Sequence, residues 1–170
     1  MRNKRCRFFS EIIVFSALFL LINFNSVVYG CSCSWGGHFL KVSSNSEVIV
    51  RGKVLGYHGE ARGIKLSMDI EIFEVMKGKL NKKVIRVWGD SGALCRPYVT
   101  QFPIGTEWIL ALNGTGSKPG VESGYAISIC GTYWLRVEEG IISGNIDNEN
   151  NMDSVKELPL KDFRQYFASE

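Results

Sequence analysis

Four of the five cysteines constrain this chain of 170 residues more than any other feature. Cys31 and Cys33 are separated by one residue, and Cys95 and Cys130 follow at long intervals, whereas Cys6 lies in a leader segment. Without Cys6 the number of cysteines is four, and an even number in an exported protein predicts disulfides, here two. A bond between Cys31 and Cys33 is disfavoured because it would close a strained short loop. Two pairings remain open: Cys31–Cys95 with Cys33–Cys130, or Cys31–Cys130 with Cys33–Cys95.

Residues 1–30 are typical of a signal for secretion. Basic residues open the segment, residues 12–24 form a mainly apolar run, and Val28 and Gly30 place small side chains before Cys31. The run is short for a membrane-spanning helix, so an uncleaved anchor is only an alternative. A lipoprotein is a second alternative, because the residues before Cys31 loosely resemble a lipobox. We predict cleavage after Gly30 and a secreted, extracellular or periplasmic protein, with lipid anchoring at Cys31 as the alternative location.

Net charge gives no sign of a nucleic-acid partner. The chain has 20 Lys and Arg against 17 Asp and Glu. Residues 1–30 contain four basic residues and one acidic residue, which leaves 16 of each sign in residues 31–170. The excess of basic residues therefore lies in the predicted targeting segment. Residues 31–170 have the length of one domain and contain no later apolar run long enough for a transmembrane segment. We expect a monomer.

Alternation of apolar and polar residues predicts a small β domain. The strands are expected over residues 47–57, 64–76, 83–88, 107–112 and 125–130, followed by a hairpin over 134–137 and 140–143. The apolar phase slips by one residue at Phe73, which is typical of a β-bulge. Short helices are expected at 39–42 and 159–168, and the second carries an apolar stripe of Leu160, Phe163 and Phe167.

The predicted fold class is therefore mainly β: a five-stranded barrel of the OB type with one or two short helices, one of them C-terminal. A β-sandwich is the alternative. The predicted domain limits are a signal peptide at 1–30, the barrel domain at 31–146, and a linker and C-terminal helix packing on the barrel at 147–170.

The residues give no pattern of an enzyme. The two histidines, His38 and His58, are expected at the surface, and the sequence has no nucleophile elbow, zinc-protease motif or phosphate-binding loop. A zinc site of four thiolates is disfavoured because no CxxC pair occurs and export favours oxidation. A redox-active Cys-x-Cys would need an exposed thiolate with a lowered pKa. We predict no enzymatic activity and no cofactor.

The N-terminal pattern resembles a known family. Cys31-Ser32-Cys33-Ser34, followed by EVIVRGKV at 47–54, is similar to the inhibitory domain of the tissue inhibitors of metalloproteinases, which belong to the netrin-like modules. Later segments agree with this resemblance: FEVMKG at 73–78 resembles a strand end of the family, and ALC at 93–95 and ISIC at 127–130 resemble the segments with its two partner cysteines.

The resemblance implies an OB barrel with the disulfides Cys31–Cys95 and Cys33–Cys130. It also implies a partner, a zinc metalloprotease, whose catalytic zinc would be chelated in trans by the α-amine and carbonyl of Cys31. Ser32 would point toward the specificity pocket of the protease, and Ala93 and Leu94 would occupy the neighbouring cleft. The protease-binding residues implied are Cys31, Ser32, Cys33, Ser34, Ala93 and Leu94.

The chain also departs from that family. It lacks the third disulfide of the inhibitory domain and the separate cysteine-rich C-terminal domain, and Trp35-Gly36-Gly37 stands where proline-rich sequence is usual. Netrin-like modules outside the inhibitors often serve as binding or anchoring domains. The alternative function is therefore a non-inhibitory protein-binding module of the cell envelope or extracellular matrix.

Overall fold

The computed structural model describes residues 31–116 and 123–168, which belong to one compact unit, Cys31–Glu170. The predicted signal at residues 1–30 lies outside the described residues. The strands of the described part are β1 (Val48–Ala61), β2 (Ile64–Lys77), β3 (Val84–Trp88), β4 (Glu107–Gly114), β5 (Tyr125–Ala126), β6 (Trp134–Glu138), β7 (Ile141–Gly144) and β8 (Lys156–Pro159). The helices are α1 (Phe39–Ser43) and α2 (Leu160–Phe163), with 3-10 turns at Val99–Gln101 and Arg164–Phe167.

Strands β1 to β5 form a closed barrel. The order around it is β1, β2, β3, β5 and β4, and pairing of β1 with β4 closes the ring. Most neighbours are antiparallel, whereas β3 and β5 are parallel. The predicted fold class, a mainly β five-stranded barrel with short helices that include one near the C-terminus, is confirmed.

Closure depends on the middle of β1, where one strand pairs on both sides. Gly52 is opposite Ile72 of β2 and Trp108 of β4. A Cβ atom at Gly52 would lie 2.5 Å from the carbonyl oxygen of Glu71. Glycine therefore lets the two backbones approach where the strand curls.

The predicted bulge in β2 is confirmed at Phe73. The register passes from Arg51–Glu74 to Gly52–Ile72, so Phe73 has no partner across the ladder. Phe73 is 45% exposed and lies against the guanidinium of Arg51, 5.4 Å from the ring centre. The bulge does not carry Phe73 into the buried series: Phe73 and Val75 are exposed, whereas Ile72, Glu74 and Met76 are partly buried.

Two buried clusters divide the interior. The barrel core includes Met68, Ile70 and Leu110, and Phe102 packs edge-on against Trp108 at 5.0 Å between ring centres. The second core lies outside the barrel and contains Phe39 of α1, Ile49 and Ile109 of the barrel strands, Leu135 and Ile142 of the added hairpin, and Phe163 of α2. Both faces of β1 and β4 are therefore covered, which explains the nearly continuous apolar run in β4.

Some predicted elements were wrong in extent. The strand expected at 125–130 forms ladder pairs only at Tyr125–Ala126. The Ile129 N–H donates instead to the carbonyl oxygen of Cys95, and the Cys130 carbonyl oxygen accepts from Gly36. The sequence prediction missed β8, which lies in the expected linker and pairs with β7. The C-terminal helix is shorter than expected, since residues Arg164–Phe167 form a 3-10 turn.

Among the described residues, no helix has the length and apolar character needed to cross a membrane.

Candidate functional site

The N-terminal segment 31–34 is fixed to the barrel by two disulfides. Cys31 is bonded to Cys95 with 5.2 Å between their Cα atoms, and Cys33 to Cys130 with 5.7 Å. This is the pairing that the family resemblance implies. The two bonds are side by side, because the sulfur atoms of Cys31 and Cys33 are 4.0 Å apart. Two bonds separated by a single residue restrict both position and rotation of the segment.

Backbone hydrogen bonds continue the attachment beyond Cys33. The N–H of Gly36 donates to the carbonyl oxygen of Cys130 at 2.7 Å, and that of Thr132 donates to the carbonyl oxygen of Gly37 at 3.0 Å. A Cβ atom at Gly36 would itself lie 2.7 Å from the Cys130 oxygen. The Trp35-Gly36-Gly37 sequence therefore fits a close backbone approach at this point.

Helix α1 anchors the next residues. His38 caps the helix by accepting a hydrogen bond from the Lys41 N–H at 3.3 Å, and the N–H groups of Phe39 and Leu40 donate to the carbonyl oxygens of Asn145 and Ile146. The His38 side chain is only 13% exposed. The His38 ring, expected at the surface, is therefore mostly covered, and its Nδ1 lies 3.0 Å from the Ile146 carbonyl oxygen.

The connector 90–97 forms the second wall of the site, and Asp90 shapes it. One carboxylate oxygen of Asp90 accepts hydrogen bonds from the N–H groups of Gly92, Ala93 and Leu94, the last at 2.7 Å. The N–H of Asp90 donates to the carbonyl oxygen of Pro97 and closes the loop at its base. Three N–H groups on one carboxylate hold the connector in a defined turn.

The predicted contact residues are accessible. Cys31, Ser32, Cys33, Ser34 and Ala93 are exposed, and Leu94 is half-buried. The Cys31–Cys95 bond holds the Ala93-Leu94 pair beside the N-terminal residues, so the structure brings all six together. Sequence reasoning missed Asp90 as a positioning residue, although the Asp-Ser-Gly sequence of a turn was a signal for it.

An apolar groove of about 480 Å³ borders the segment on the side of β6. Its walls include Trp35, Trp108, Trp134, Ile129 and Met152. Ile129 also fixes the groove to the connector, since its N–H donates to the carbonyl oxygen of Cys95 at 3.2 Å. The sequence placed Trp108 and Trp134 in strands, but only the tertiary structure brings them together with Trp35.

The ionisable groups with shifted pKa values lie away from segment 31–34. Glu74 of β2 has a lowered pKa because Arg164 donates to it, although partial burial opposes this, and Arg51 adds to the lowering. The pKa of Tyr125 is raised by burial and by the nearby charge of Glu47. His58 pairs with Asp69 at 2.7 Å and is half-exposed. None of these groups is among the six predicted contact residues.

No protein-family model matches the chain, and the search of curated proteins also finds no match. The resemblance to the metalloproteinase inhibitors therefore stays a prediction that rests on the residues quoted above.

Proposed function

We propose that the chain is exported, cleaved after Gly30, and acts as an inhibitor of zinc metalloproteases. The observation that carries this proposal is the exposed segment Cys31–Ser34, fixed by two disulfides beside Ala93 and Leu94. A rigid, exposed chain end can enter an active-site cleft with little loss of conformational entropy.

The chemistry of chelation belongs to the new N-terminus. A catalytic zinc in a protease keeps one coordination position open for water or substrate. The α-amine and the carbonyl oxygen of Cys31 would bind there as a five-membered chelate. The amine has to be unprotonated to bind, and its reference pKa of about 7.7–8.0 makes deprotonation inexpensive near neutral pH.

Neighbouring residues would supply the remaining contacts. Ser32 would present a short polar side chain to the specificity pocket, and Ala93 and Leu94 would fill the adjoining cleft. The Asp90 carboxylate keeps Ala93 and Leu94 in position, because it accepts hydrogen bonds from the N–H groups of both residues. Inhibition would therefore depend on the connector as well as on the chain end.

The test is one added alanine before Cys31. The addition replaces the free amine by an amide, so we expect inhibition to be lost across a panel of zinc proteases. A matched control carries the added alanine after Glu170 and should inhibit like the unmodified chain. Both proteins should have the same free energy of unfolding, which shows that the barrel is intact.

Equal inhibition by the chain with the alanine before Cys31 would refute chelation through the amine. Failure of the unmodified chain against the whole panel would instead favour the alternative, a non-inhibitory binding module of the cell envelope or matrix. Intact-mass measurement with N-terminal sequencing distinguishes the lipoprotein alternative, because an acyl chain on Cys31 adds mass and leaves a free thiol at Cys95.

A further inference from the structure

The four cysteine sulfur atoms form one compact cluster. The Sγ atoms of Cys31, Cys33, Cys95 and Cys130 all lie within 4.8 Å of one another. In a tetrahedral zinc site with Zn–S bonds of about 2.3 Å, any two sulfur atoms are about 3.8 Å apart. The distance between the Cys31 and Cys33 sulfurs, 4.0 Å, is already close to that value. For four thiolates to surround one ion, the two bonded pairs have to separate, and any pair near 4.8 Å has to close by about 1 Å.

We propose that the reduced form of this cluster is a four-cysteine binding site for a thiophilic divalent cation such as Zn²⁺. The inference goes beyond inhibition and does not depend on it. A dithiol reductant supplies two electrons and two protons to each disulfide and is itself oxidised to a disulfide, which leaves four thiols. One Zn²⁺ then binds four thiolates and displaces four protons.

Backbone contacts hold Cys95, Cys130 and the chain three residues after Cys33 independently of the disulfides. The carbonyl oxygen of Cys130 accepts from Gly36 and that of Cys95 accepts from Ile129, while Asp90 holds Leu94 next to Cys95. None of these bonds involves a sulfur atom. Rotation about the Cα–Cβ bonds of the cysteines is then enough to open each pair, since the Cα separations are 5.2 and 5.7 Å.

The ion also has a route to the site. Cys31 and Cys33 are exposed, and Cys95 and Cys130 are partly exposed. Two sequence arguments stood against a zinc site: export favours oxidation, and no CxxC pair occurs. The first concerns the oxidised chain, whereas the proposed site belongs to the reduced one, and the second concerns only ligands close together along the chain. The barrel assembles the four ligands from three separate segments instead.

The experiment uses residues 31–170, reduced with a dithiol under argon, freed from reductant and titrated with Co²⁺ as a spectroscopic substitute for Zn²⁺. We expect one Co²⁺ per chain, with the visible and thiolate charge-transfer absorption of a tetrahedral four-thiolate complex. Zn²⁺ should displace it. The oxidised chain should show no such absorption.

The matched control combines Cys33→Ser with Cys130→Ser and retains two cysteines. Its Co²⁺ affinity should fall by more than the roughly 10–100-fold that loss of an outer-shell partner costs, and the four-thiolate absorption should disappear. Absence of this absorption in the reduced unmodified chain would overturn the proposal. So would equal affinity in the control or in the chemically denatured chain.

Because reduction by itself can unfold the chain, far-UV circular dichroism is recorded on the reduced chain with and without Zn²⁺. If the reduced chain has lost its β signal, one equivalent of Zn²⁺ should restore it, because binding to an assembled site stabilises the folded state. A chain that stays unfolded with Zn²⁺ would refute the site. Protease inhibition is not measured here, so this result and that of the proposed function are independent.

Discussion

Gly36 is the residue at which the N-terminal segment touches the backbone that carries Cys130. Its N–H donates to the Cys130 carbonyl oxygen, and a Cβ atom would lie 2.7 Å from the same oxygen and 3.3 Å from Val42. Such a contact has to be relieved by moving one of the two backbones. The Cys33–Cys130 disulfide joins the same two backbones, at Cys130 itself and three residues before Gly36. The strain would therefore extend to the whole site.

We therefore expect Gly36→Ala to lower the free energy of unfolding by about 1–3 kcal/mol, the usual cost of overpacking. Chemical denaturation measures this change. The matched control is Gly56→Ala in β1, where a Cβ atom would meet nothing within 4 Å. The control should stay within about 0.5 kcal/mol of the unmodified protein. Equal effects of the two substitutions would contradict the close approach at Gly36.

At the scale of elements, the C-terminal residues are an integral part of the fold. Strand β8 pairs with β7, and the Leu160 N–H donates to the Gly140 carbonyl oxygen at 2.9 Å. Phe163 of α2 is fully buried, with its ring 5.8 Å from that of Phe39 in α1. The chain end therefore packs against the helix that anchors the N-terminal segment.

Phe163→Ala should accordingly destabilise the protein by about 3–5 kcal/mol, because it leaves a cavity between α1 and α2. Thermal or chemical unfolding reports the loss. Tyr166→Ala is the control, since Tyr166 contacts the Phe163 ring at 6.0 Å but is 48% exposed. Its effect should be clearly smaller. A loss of similar size for both would mean that burial of Phe163 adds little.

At the scale of the whole molecule, one charged network joins the barrel to the C-terminal segment. Arg164 binds both carboxylate oxygens of Glu74 at 2.8 Å, and Arg51 bridges Glu74 and Glu107 at 3.2 and 2.6 Å. The groups come from β1, β2, β4 and the 3-10 turn after α2. Protonation of Glu74 would weaken this connection.

The pH dependence follows from the lowered pKa of Glu74, which Arg164 causes first and Arg51 supports against the effect of burial. A lowered pKa in the folded state stabilises the fold above the ordinary value of 4.5, and the contribution is lost as pH falls through the folded value. Glu74→Gln should cost about 0.2–1 kcal/mol near neutral pH, since Arg164 is half-exposed.

The measurement is the free energy of unfolding of both proteins as a function of pH. The difference between them should shrink as pH decreases below 4.5. Glu138→Gln is the control, because Glu138 is 72% exposed and lies 3.4 Å from Arg136. It should leave the curve nearly unchanged. A difference that persists well below 4.5 would show that the carboxylate charge of Glu74 does not matter.

Much of the fold was predictable because its signals are local. Alternation placed the barrel strands, and the phase slip located the bulge at Phe73. Strand β8 was missed because Lys156–Pro159 has little apolar pattern and pairs with β7 at the sheet edge. The strand at 125–130 was predicted too long, since a ladder depends on partners that Ile129 and Cys130 find elsewhere.

The sequence by itself determined the cysteine set, the strand periodicity and the short side chains of segment 31–34, since these depend on residue type and spacing. Only the tertiary structure decided that Asp90 holds the connector, that Trp35, Trp108 and Trp134 line one groove, and that the four sulfur atoms lie within 4.8 Å of one another. The reason is physical: those contacts join residues far apart in the chain, and closure of the barrel sets the distances between them.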